Sequence, residues 1–314
     1  MAFAMVFPGQ GSQSLGMLAA LSEQEPLVCE TFAEASAVLG YDLWQLCQQG
    51  PEDQLGITEK TQPAMLTAGV ATWRVWRKHG GAMPSAMAGH SLGEYTALVC
   101  AGALDFKTAV ELVRFRGQAM QSAVPSGQGA MAAILGLEDA DVVAACADAA
   151  RGEVVQAANF NSPGQVVIAG QKSAVERAIE VLKNKGAKRA LILPVSVPSH
   201  TELMRPAAVQ LAERLSGIEF KTPETAVYTV GMRTHSSAAD IRQALFDQLV
   251  GPVRWTDCVK TILQTGVNVL IECGPGKVLT GLNRRIDRNK DIAMLAIEDS
   301  ASLAEALNLV KVGS

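Results

Sequence analysis

The feature that most constrains this 314-residue chain is the pentapeptide Gly89-His90-Ser91-Leu92-Gly93, which separates a run of small residues from a helix-like run. A serine with a glycine two places to either side is typical of a nucleophile elbow, the sharp turn between a strand and a helix. Glycine is needed there because a Cβ would collide with so tight a turn. The serine hydroxyl then lies at the positive end of a helix, where backbone N–H groups can stabilise an oxyanion. Since G-x-S-x-G also occurs by chance in loops, the rest of the chain has to decide whether Ser91 is catalytic.

Composition restricts the class of protein. The chain is 48% hydrophobic and 18% charged, which is typical of a globular protein with one large core and room for an inserted module. The net charge of −4 argues against nucleic acid as the main partner. The apolar N-terminus lacks a basic region, and no uninterrupted apolar run is long enough to span a bilayer. We therefore expect a cytoplasmic protein that has no membrane partner.

The six cysteines are far apart in the sequence. None belongs to a C-x-x-C pair, and none has a histidine at ligand spacing. We therefore expect neither a metal site nor a disulfide framework. The cysteines are predicted to be small buried residues in a reducing compartment.

Short apolar runs alternate with amphipathic stretches, which indicates an α/β fold with a mostly parallel sheet. Residues 2–7 form one such run, and the glycine-rich segment 8–13 follows it, as expected for a buried parallel strand that leads into a loop. This loop matches neither the P-loop pattern nor the dinucleotide-binding fingerprint, so we do not predict phosphate binding there. With the elbow, these features predict a large α/β-hydrolase-like domain.

The pattern changes between residues 126 and 195. Strand, helix, strand, strand, helix and strand follow one another, which is the order of a ferredoxin-like (βαββαβ) module. We therefore predict a large α/β catalytic domain made of residues 1–125 and 196–314, with a smaller ferredoxin-like insertion at 126–195.

Arg116 occupies an unexpected position in the helix predicted over about residues 107–124, because it falls on the apolar face of that helix. An arginine that faces the interior needs an anionic partner, since an unpaired buried charge is costly. An internal salt bridge or a snorkelling side chain is the simpler explanation. The functional explanation is a guanidinium that binds the carboxylate of a substrate.

Only one of the four histidines is a good candidate for a catalytic base. His79 is at a predicted helix end, His90 is beside the serine with its side chain directed elsewhere, and His235 is in a polar loop. By elimination His200 is the candidate. A lone loop histidine is usually a surface residue, so this prediction depends on its pairing with Ser91.

Gln248 lies on the buried side of a helix predicted over about residues 237–250, in its last turn. Its side-chain carbonyl, or one of the free backbone carbonyls of that turn, could accept a hydrogen bond from His200. An amide that only satisfies the helix end is an equally good explanation of the spacing.

Seven motifs in chain order closely resemble the malonyl-CoA:acyl carrier protein transacylase family, the loading enzymes of type II fatty-acid synthesis. The resemblance covers essentially the whole chain, including the predicted insertion. The motifs are Phe7-Pro8-Gly9-Gln10-Gly11-Ser12-Gln13, Gln62-Pro63-Ala64, Gly89-His90-Ser91-Leu92-Gly93-Glu94-Tyr95, Arg116, Asn161-Ser162-Pro163-Gly164-Gln165, Pro198-Ser199-His200 and Glu272-Cys273-Gly274-Pro275-Gly276. Members of this family often carry N-V-D where this chain has Tyr228-Thr229-Val230-Gly231.

The resemblance implies a ping-pong acyl transfer from malonyl-CoA to the thiol of phosphopantetheinylated acyl carrier protein, with no bound cofactor or metal. In this scheme Ser91 is the nucleophile, and His200 is the general base and then the acid. The remaining implied roles are those of Gln248 in orienting the histidine, of the Gln10 and Leu92 amides as an oxyanion hole, and of Arg116 in holding the malonyl carboxylate.

A basic segment is a candidate docking surface for the acidic carrier protein. Residues 277–290 contain five basic residues and one acid, a local charge of +4 in a chain whose total is −4. A solvated helix face is the simpler explanation of such a run. The family resemblance makes a docking surface for the carrier protein an equally good explanation. The predicted docking residues are Lys188, Arg189, Arg284 and Arg285.

Three other functions fit parts of the sequence. An α/β esterase or thioesterase would use the same serine, but it gives no reason for Arg116 to face inward. An acyltransferase module of polyketide synthesis, which could take a branched extender unit, is a second alternative, and Ser199 before His200 does not decide for or against it. A carrier-binding scaffold without catalysis would be expected to have lost Ser91 or His200, and both are present.

Overall fold

The structure is a computed structural model that describes residues 2–195, 197–229 and 233–311. The strands are β1 (Phe3–Phe7), β2 (Ala86–Gly89), β3 (Gly129–Leu135), β4 (Val155–Ser162), β5 (Gln165–Gln171), β6 (Arg189–Ile192), β7 (Ala226–Tyr228), β8 (Val269–Cys273) and β9 (Ala293–Ile297). The helices are α1 (Ala19–Ser22), α2 (Pro26–Leu39), α3 (Leu43–Gln49), α4 (Glu52–Leu55), α5 (Thr58–Lys78), α6 (Gly93–Cys100), α7 (Phe106–Ser122), α8 (Asp139–Ala150), α9 (Lys172–Asn184), α10 (Arg205–Ser216), α11 (Ala238–Val250), α12 (Trp255–Gln264), α13 (Val278–Ile286) and α14 (Ser300–Lys311).

The chain divides into two compact units. The first consists of Met1–Gly117, Ile218–Ile241 and Cys258–Ser314, and the second consists of Gln118–Gly217 and Arg242–Asp257. The predicted insertion at 126–195 lies within the range of the second unit. The domain bounds drawn from the sequence remain a prediction.

The first unit contains a parallel five-stranded sheet in the order β7-β2-β1-β8-β9. Every residue of β1 is buried, as its uninterrupted apolar sequence predicts for a central parallel strand. Phe7 at the end of β1 is opposite Gly89 at the end of β2, so the loop after β1 and the serine turn leave the sheet at the same edge. Ligands of open α/β sheets bind at this edge, beyond the carboxyl ends of the strands. The predicted parallel sheet is confirmed.

The helices α5 and α7 come close together in the first unit because of one glycine. A Cβ on Gly117 of α7 would lie 2.6 Å from the Cα of Glu59, in the first turn of α5. The α5 helix starts at Thr58, and Pro63 lies inside it. This approach places the beginning of α5 beside the part of α7 that carries Arg116.

The second unit contains an antiparallel sheet in the order β4-β5-β3-β6, which is the strand order of a ferredoxin-like fold. The predicted βαββαβ module is therefore confirmed. Its core is formed by apolar side chains of α8, α9 and one sheet face, among them Val142, Cys146, Ile168, Val175 and Leu182.

Five of the six cysteines are buried, as predicted, whereas Cys29 is exposed and contradicts the prediction. All six are free thiols. Within the described ranges, no group of three or more His, Cys, Asp or Glu side chains is arranged to hold a metal ion. None of the helices in those ranges combines the length and the apolar character that crossing a bilayer would need.

Candidate active site

Ser91 lies on the turn between β2 and α6 and has a left-handed backbone with a φ of 52°. The β2 strand ends at Gly89, the amide of His90 donates a hydrogen bond to the Phe7 carbonyl at 3.0 Å, and α6 begins at Gly93. Residues other than glycine seldom adopt this conformation, and those that do are concentrated at functional sites. The sharp strand-to-helix turn predicted from the pentapeptide is confirmed.

The glycines on either side of Ser91 have no room for a side chain. A Cβ on Gly89 would lie 1.8 Å from the carbonyl carbon of Gly93, and a Cβ on Gly93 would lie 2.1 Å from the carbonyl oxygen of Phe7. Both contacts would be with backbone, which cannot rotate away as a flexible side chain can. The steric reason given for the two glycines is therefore confirmed.

The two amides predicted to form an oxyanion hole belong to adjacent turns. Gln10 follows Gly9, where a Cβ would lie 2.4 Å from the His90 carbonyl oxygen, so the Gln10 loop packs directly on the serine turn. Leu92 is the residue between Ser91 and α6. Within the described ranges, neither amide N–H takes part in a hydrogen bond. The oxyanion-hole role of these two groups remains a prediction.

Arg116 is 1% exposed, and its guanidinium reaches Ser91. Its Nη2 donates to the Ser91 Oγ at 3.2 Å, and its Nη1 donates to the Gln62 Oε1 at 2.8 Å. Its Cζ lies 5.4 Å from the centroid of the Tyr95 ring. The predicted inward orientation is confirmed, and the snorkelling alternative is wrong. A planar guanidinium beside a nucleophile is suited to holding a carboxylate on the group that is attacked.

The charge of Arg116 is kept inside the protein at an energetic cost. Burial lowers the pKa of its guanidinium, whereas negative charge on Tyr95 or Glu94 raises that pKa. Burial also raises the pKa of the Tyr95 phenol to about 12, so the phenol is neutral at ordinary pH. Arginine stays protonated in proteins. A buried positive charge therefore lies next to the Ser91 hydroxyl.

Gln62 is a site residue that the sequence analysis quoted within a motif but did not assign. It is 1% exposed on α5, and its Oε1 accepts the hydrogen bond from Arg116. Its neighbours Pro63, Ala64 and Met65 are buried too. A glutamine in so apolar a stretch needs a buried polar partner, and this need is the signal that could have found it.

His200 is 4% exposed and also has a left-handed backbone, with a φ of 63°. Its Nδ1 lies 2.8 Å from the backbone oxygen of Gln248, in the last turn of α11. A carbonyl oxygen can only accept, so Nδ1 carries the proton and Nε2 is the basic nitrogen of the neutral ring. Of the two acceptors that the sequence left open, the structure has the backbone carbonyl and not the side-chain amide.

Two local hydrogen bonds stabilise the loop around His200. The Ser199 amide donates to the Val197 carbonyl at 2.8 Å, and the Thr201 hydroxyl donates to the Pro198 carbonyl at 2.7 Å. Because both bonds close within the loop, the unusual backbone of His200 is held from either side.

His235 lies in a loop, as predicted, but its side chain is buried there. Its Nε2 lies 2.9 Å from Oε1 of Glu94, and the two side chains are 1% and 0% exposed. Its amide donates to the Val227 carbonyl, which brings it back beside β7 and turns its ring into the core. Of the segment that departs from N-V-D, Val230 and Gly231 lie outside the described residues.

The predicted docking residues are all exposed. In the second unit, Arg189 begins the edge strand β6, and the stem of Lys188 lies against Gly136. In the first unit, Arg284 and Arg285 are in the last turn of α13, and Arg284 Nη2 donates to the Met294 carbonyl at 3.0 Å. Their docking role remains a prediction.

A family model described as "Acyl transferase domain" matches residues 4–298 of the chain. The malonyl CoA-acyl carrier protein transacylase of Salmonella typhimurium is 58% identical over 306 residues, which cover 97% of this chain and 98% of the relative.

Solved structures agree with this match. The malonyl CoA-acyl carrier protein transacylase of Coxiella burnetii superimposes with a TM-score of 0.96 at 52% identity, over 98% of this chain and 97% of the other. A structure of a type II PKS acyl-carrier protein in complex with its malonyl-transacylase also matches, with a TM-score of 0.96 at 58% identity, over 98% of this chain and 100% of the other.

Proposed function

Because this chain belongs to the acyl transferase domain family, we propose that it moves a malonyl group from malonyl-CoA to the phosphopantetheine thiol of acyl carrier protein, and so supplies fatty-acid elongation. The observation that carries the proposal is the 3.2 Å contact between the Arg116 guanidinium and the Ser91 hydroxyl. A nucleophile with a buried cation at its oxygen is suited to an acyl group that carries its own negative charge.

The first half of the proposed reaction loads the serine. His200 Nε2 takes the proton of Ser91, and the serine oxygen attacks the thioester carbonyl of malonyl-CoA. The Gln10 and Leu92 amides stabilise the tetrahedral oxyanion. When the intermediate collapses, the C–S bond breaks, coenzyme A leaves with the proton from His200, and malonyl remains as an ester on Ser91.

The second half transfers the malonyl group to the carrier. The phosphopantetheine thiol gives its proton to His200 and attacks the ester carbonyl, and Ser91 then leaves with that proton. The scheme uses side chains and backbone amides alone, and we propose no metal or organic cofactor for it. Each bond that breaks is an ester or thioester of similar energy, so the transfer is reversible.

Arg116 gives the proposed reaction its preference for malonyl. It binds the free carboxylate of the malonyl group, and Gln62 supports this by holding Nη1. Removing one partner of a buried charge pair costs about 2–5 kcal/mol, so the preference is expected to depend strongly on this residue.

The partner of His200 bears on the fate of the ester. A backbone carbonyl orients the imidazole and accepts a hydrogen bond from its Nδ1–H, but it stabilises an imidazolium less than a carboxylate does. We propose that this weaker activation helps to protect malonyl-Ser91 from water until a thiol arrives.

We further propose that acidic acyl carrier protein docks on Lys188, Arg189, Arg284 and Arg285, and that the enzyme is cytoplasmic. A relative at 58% identity has been solved as a complex with an acyl-carrier protein, which supports such a partner. Arg284 also holds the Met294 carbonyl, so its loss affects local structure as well as charge. The double variant Arg285→Glu/Lys188→Glu tests the docking, and it should raise the apparent KM for carrier protein while the malonylation of Ser91 is unchanged.

The test of the function is a panel of acyl-CoAs with holo carrier protein as acceptor, in which transfer and hydrolysis are followed together. We expect malonyl transfer to exceed both acetyl transfer and malonyl hydrolysis. Rapid hydrolysis without transfer would instead identify an esterase that uses the same serine.

A further inference from the structure

The helix α13 carries an exposed glycine, Gly281, in its interior. The Gly281 amide donates an α-helical hydrogen bond to the Lys277 carbonyl at 3.0 Å, and Gly281 does not have a positive φ. Among the residues that the structure describes, a Cβ at this position would meet nothing within 4 Å. A left-handed backbone and a close neighbour are the usual reasons for a glycine, and within the described part of the chain neither applies to Gly281.

A glycine at this position lowers the stability of the helix. Inside a helix, glycine is less favourable than every residue except proline, because it loses the most backbone freedom on folding. An alanine would fit at position 281 without a clash and would favour the helix. Glycine is also used where the backbone has to come close to another molecule. The exposed face around Gly281 is therefore a candidate contact surface.

Gly281 shares one face of α13 with an apolar and a basic side chain. Val278 is three residues before Gly281 and Arg285 is four residues after it, a spacing that places all three along one side of the helix. Val278 is 47% exposed, and Arg285 is exposed as well. The face therefore presents an apolar side chain, bare backbone and a cation in a row, within a segment, 277–290, that has five basic residues and one acid.

The start of α13 is fixed at the edge of the sheet that carries the serine turn. The Glu272 carboxylate, near the end of β8, accepts hydrogen bonds from the amides of Leu279 at 3.0 Å and Thr280 at 2.7 Å. The turn between β8 and α13 packs on the loop after β1, because a Cβ on Gly274 would lie 3.0 Å from the Cδ of Pro8. A partner bound to α13 therefore lies near the catalytic edge of the first unit.

We propose that an acidic segment of acyl carrier protein packs on the α13 face formed by Val278, Gly281 and Arg285. Gly281 lets the backbone of the carrier approach closely, Val278 contacts an apolar side chain, and Arg285 pairs with a carboxylate. Charge favours the carrier over a second copy of this chain, because a symmetric contact would bring the same basic residues together. The inference rests on the proposed function, and it adds a steric and an apolar contact to the basic docking residues.

The test adds side chains of increasing size at position 281 and measures the apparent KM for holo carrier protein. We expect Gly281→Ala to raise this KM about threefold and Gly281→Gln about tenfold, because the added atoms occupy space that the carrier needs. Both variants should melt at or above the wild-type temperature, since alanine and glutamine favour a helix more than glycine does. A more stable enzyme that binds its carrier more weakly is a result that a merely structural role of Gly281 would not give.

Two further readouts separate docking from chemistry. In Gly281→Gln, the malonylation of Ser91 by malonyl-CoA and the transfer of malonyl to free pantetheine should equal those of the wild type, because neither involves the protein part of the carrier. The matched control is Ala304→Gln, which puts the same side chain on an exposed position of α14 and should leave the KM for carrier protein unchanged.

The apolar and the charged contacts of the face can be told apart by salt. Val278→Ser should raise the KM for carrier protein about threefold at every salt concentration, since burying an apolar side chain does not depend on charge. The effect of Arg285→Glu should shrink as salt is added, because salt screens exposed charges.

An unchanged KM for carrier protein in Gly281→Gln would overturn the inference, and so would an equal loss of transfer to free pantetheine. Self-association of the wild-type chain that Gly281→Gln abolishes, measured by sedimentation, would assign the face to a second copy and overturn it as well. If Gly281→Gln does not fold, Gly281→Ala decides by the same criteria. A wild-type enzyme that fails to transfer malonyl would refute the proposed function instead. Calorimetric titration of holo carrier protein into the wild type and Gly281→Gln would still decide the docking, so the two failures are distinguishable.

Discussion

The turns of Ser91 and His200 share one backbone feature and differ in what holds them. Both residues have a left-handed backbone, with φ values of 52° and 63°, which is rare for side chains that have a Cβ. The serine turn is fixed by glycines whose missing side chains let backbone meet backbone. The histidine loop is fixed by its own hydrogen bonds and by one carbonyl on α11. The serine turn therefore depends on particular residue types, whereas the histidine loop depends on where a backbone oxygen lies.

The largest effect on stability is expected from adding a methyl group to the serine turn. Gly93→Ala would place a Cβ 2.1 Å from the Phe7 carbonyl oxygen, and relief requires moving β1 or α6. We expect a loss of about 3 kcal/mol or more in the free energy of unfolding, measured by urea titration. The matched control is Gly281→Ala in α13, where the added Cβ meets nothing within 4 Å. If both variants lose the same stability, the glycines of the elbow are not sterically required.

The largest effect on catalysis is expected from removing the imidazole. His200→Ala should lower kcat for malonyl transfer about a thousandfold, because the serine loses its base, while the folded state is retained. Steady-state kinetics with malonyl-CoA and carrier protein measures the loss, and a thermal melt checks the fold. Near-normal transfer in a folded His200→Ala enzyme would remove His200 from the mechanism.

A smaller effect on catalysis is expected from Gln248, whose side chain was one of the two acceptors that the sequence suggested for His200. Gln248→Ala keeps the backbone carbonyl that accepts from His200 Nδ1, so kcat should fall by no more than about threefold. Gln62→Ala is the contrasting variant, because it removes an amide oxygen that Arg116 uses, and it should raise KM for malonyl-CoA more than Gln248→Ala does. A loss of kcat in Gln248→Ala as large as that of His200→Ala would show that the side chain orients the histidine after all.

The smaller of the two effects on stability tests the shared backbone feature itself. Ser91→Gly and Ser91→Ala both lose the hydroxyl and differ only in the Cβ, which is unfavourable at a φ of 52°. We expect the glycine variant to be more stable by about 1 kcal/mol in urea titration. His200→Gly and His200→Ala should differ in the same direction and by a similar amount. An alanine variant as stable as the glycine variant at either position would show that the turn carries no backbone strain.

The difference between the two turns also explains what the sequence could reveal. The elbow was predictable because the glycines that it requires can be read directly from the sequence. The parallel sheet and the ferredoxin-like module were predictable from apolar periodicity. Arg116 was predictable as an inward residue because a charge on an apolar helix face is conspicuous. The function of Arg116 was not predictable, because an arginine in an internal salt bridge would occupy the same position on the apolar face of the helix.

Other parts of the site depend on contacts between distant segments. The acceptor of His200 is a backbone oxygen. Any residue at position 248 would supply this oxygen, so the residue type at that position could not identify it. The burial of His235 was not predicted because its neighbours are polar, whereas its partner Glu94 is 141 residues away. The apolar neighbours of Gln62 signal a buried polar partner, but the sequence does not show that this partner is Arg116, because the contact joins α5 to α7.

The measurement that tests the central claim most directly is intact-mass analysis of the enzyme after mixing with malonyl-CoA or with acetyl-CoA. We expect a malonyl adduct on the wild-type enzyme and none on Ser91→Ala. Arg116→Ala should lose the malonyl adduct but keep the acetyl adduct. The control is Arg74→Ala, which removes an arginine that pairs with Glu34, and it should keep both adducts. A malonyl adduct on Ser91→Ala, or equal losses of both adducts in Arg116→Ala, would contradict the account.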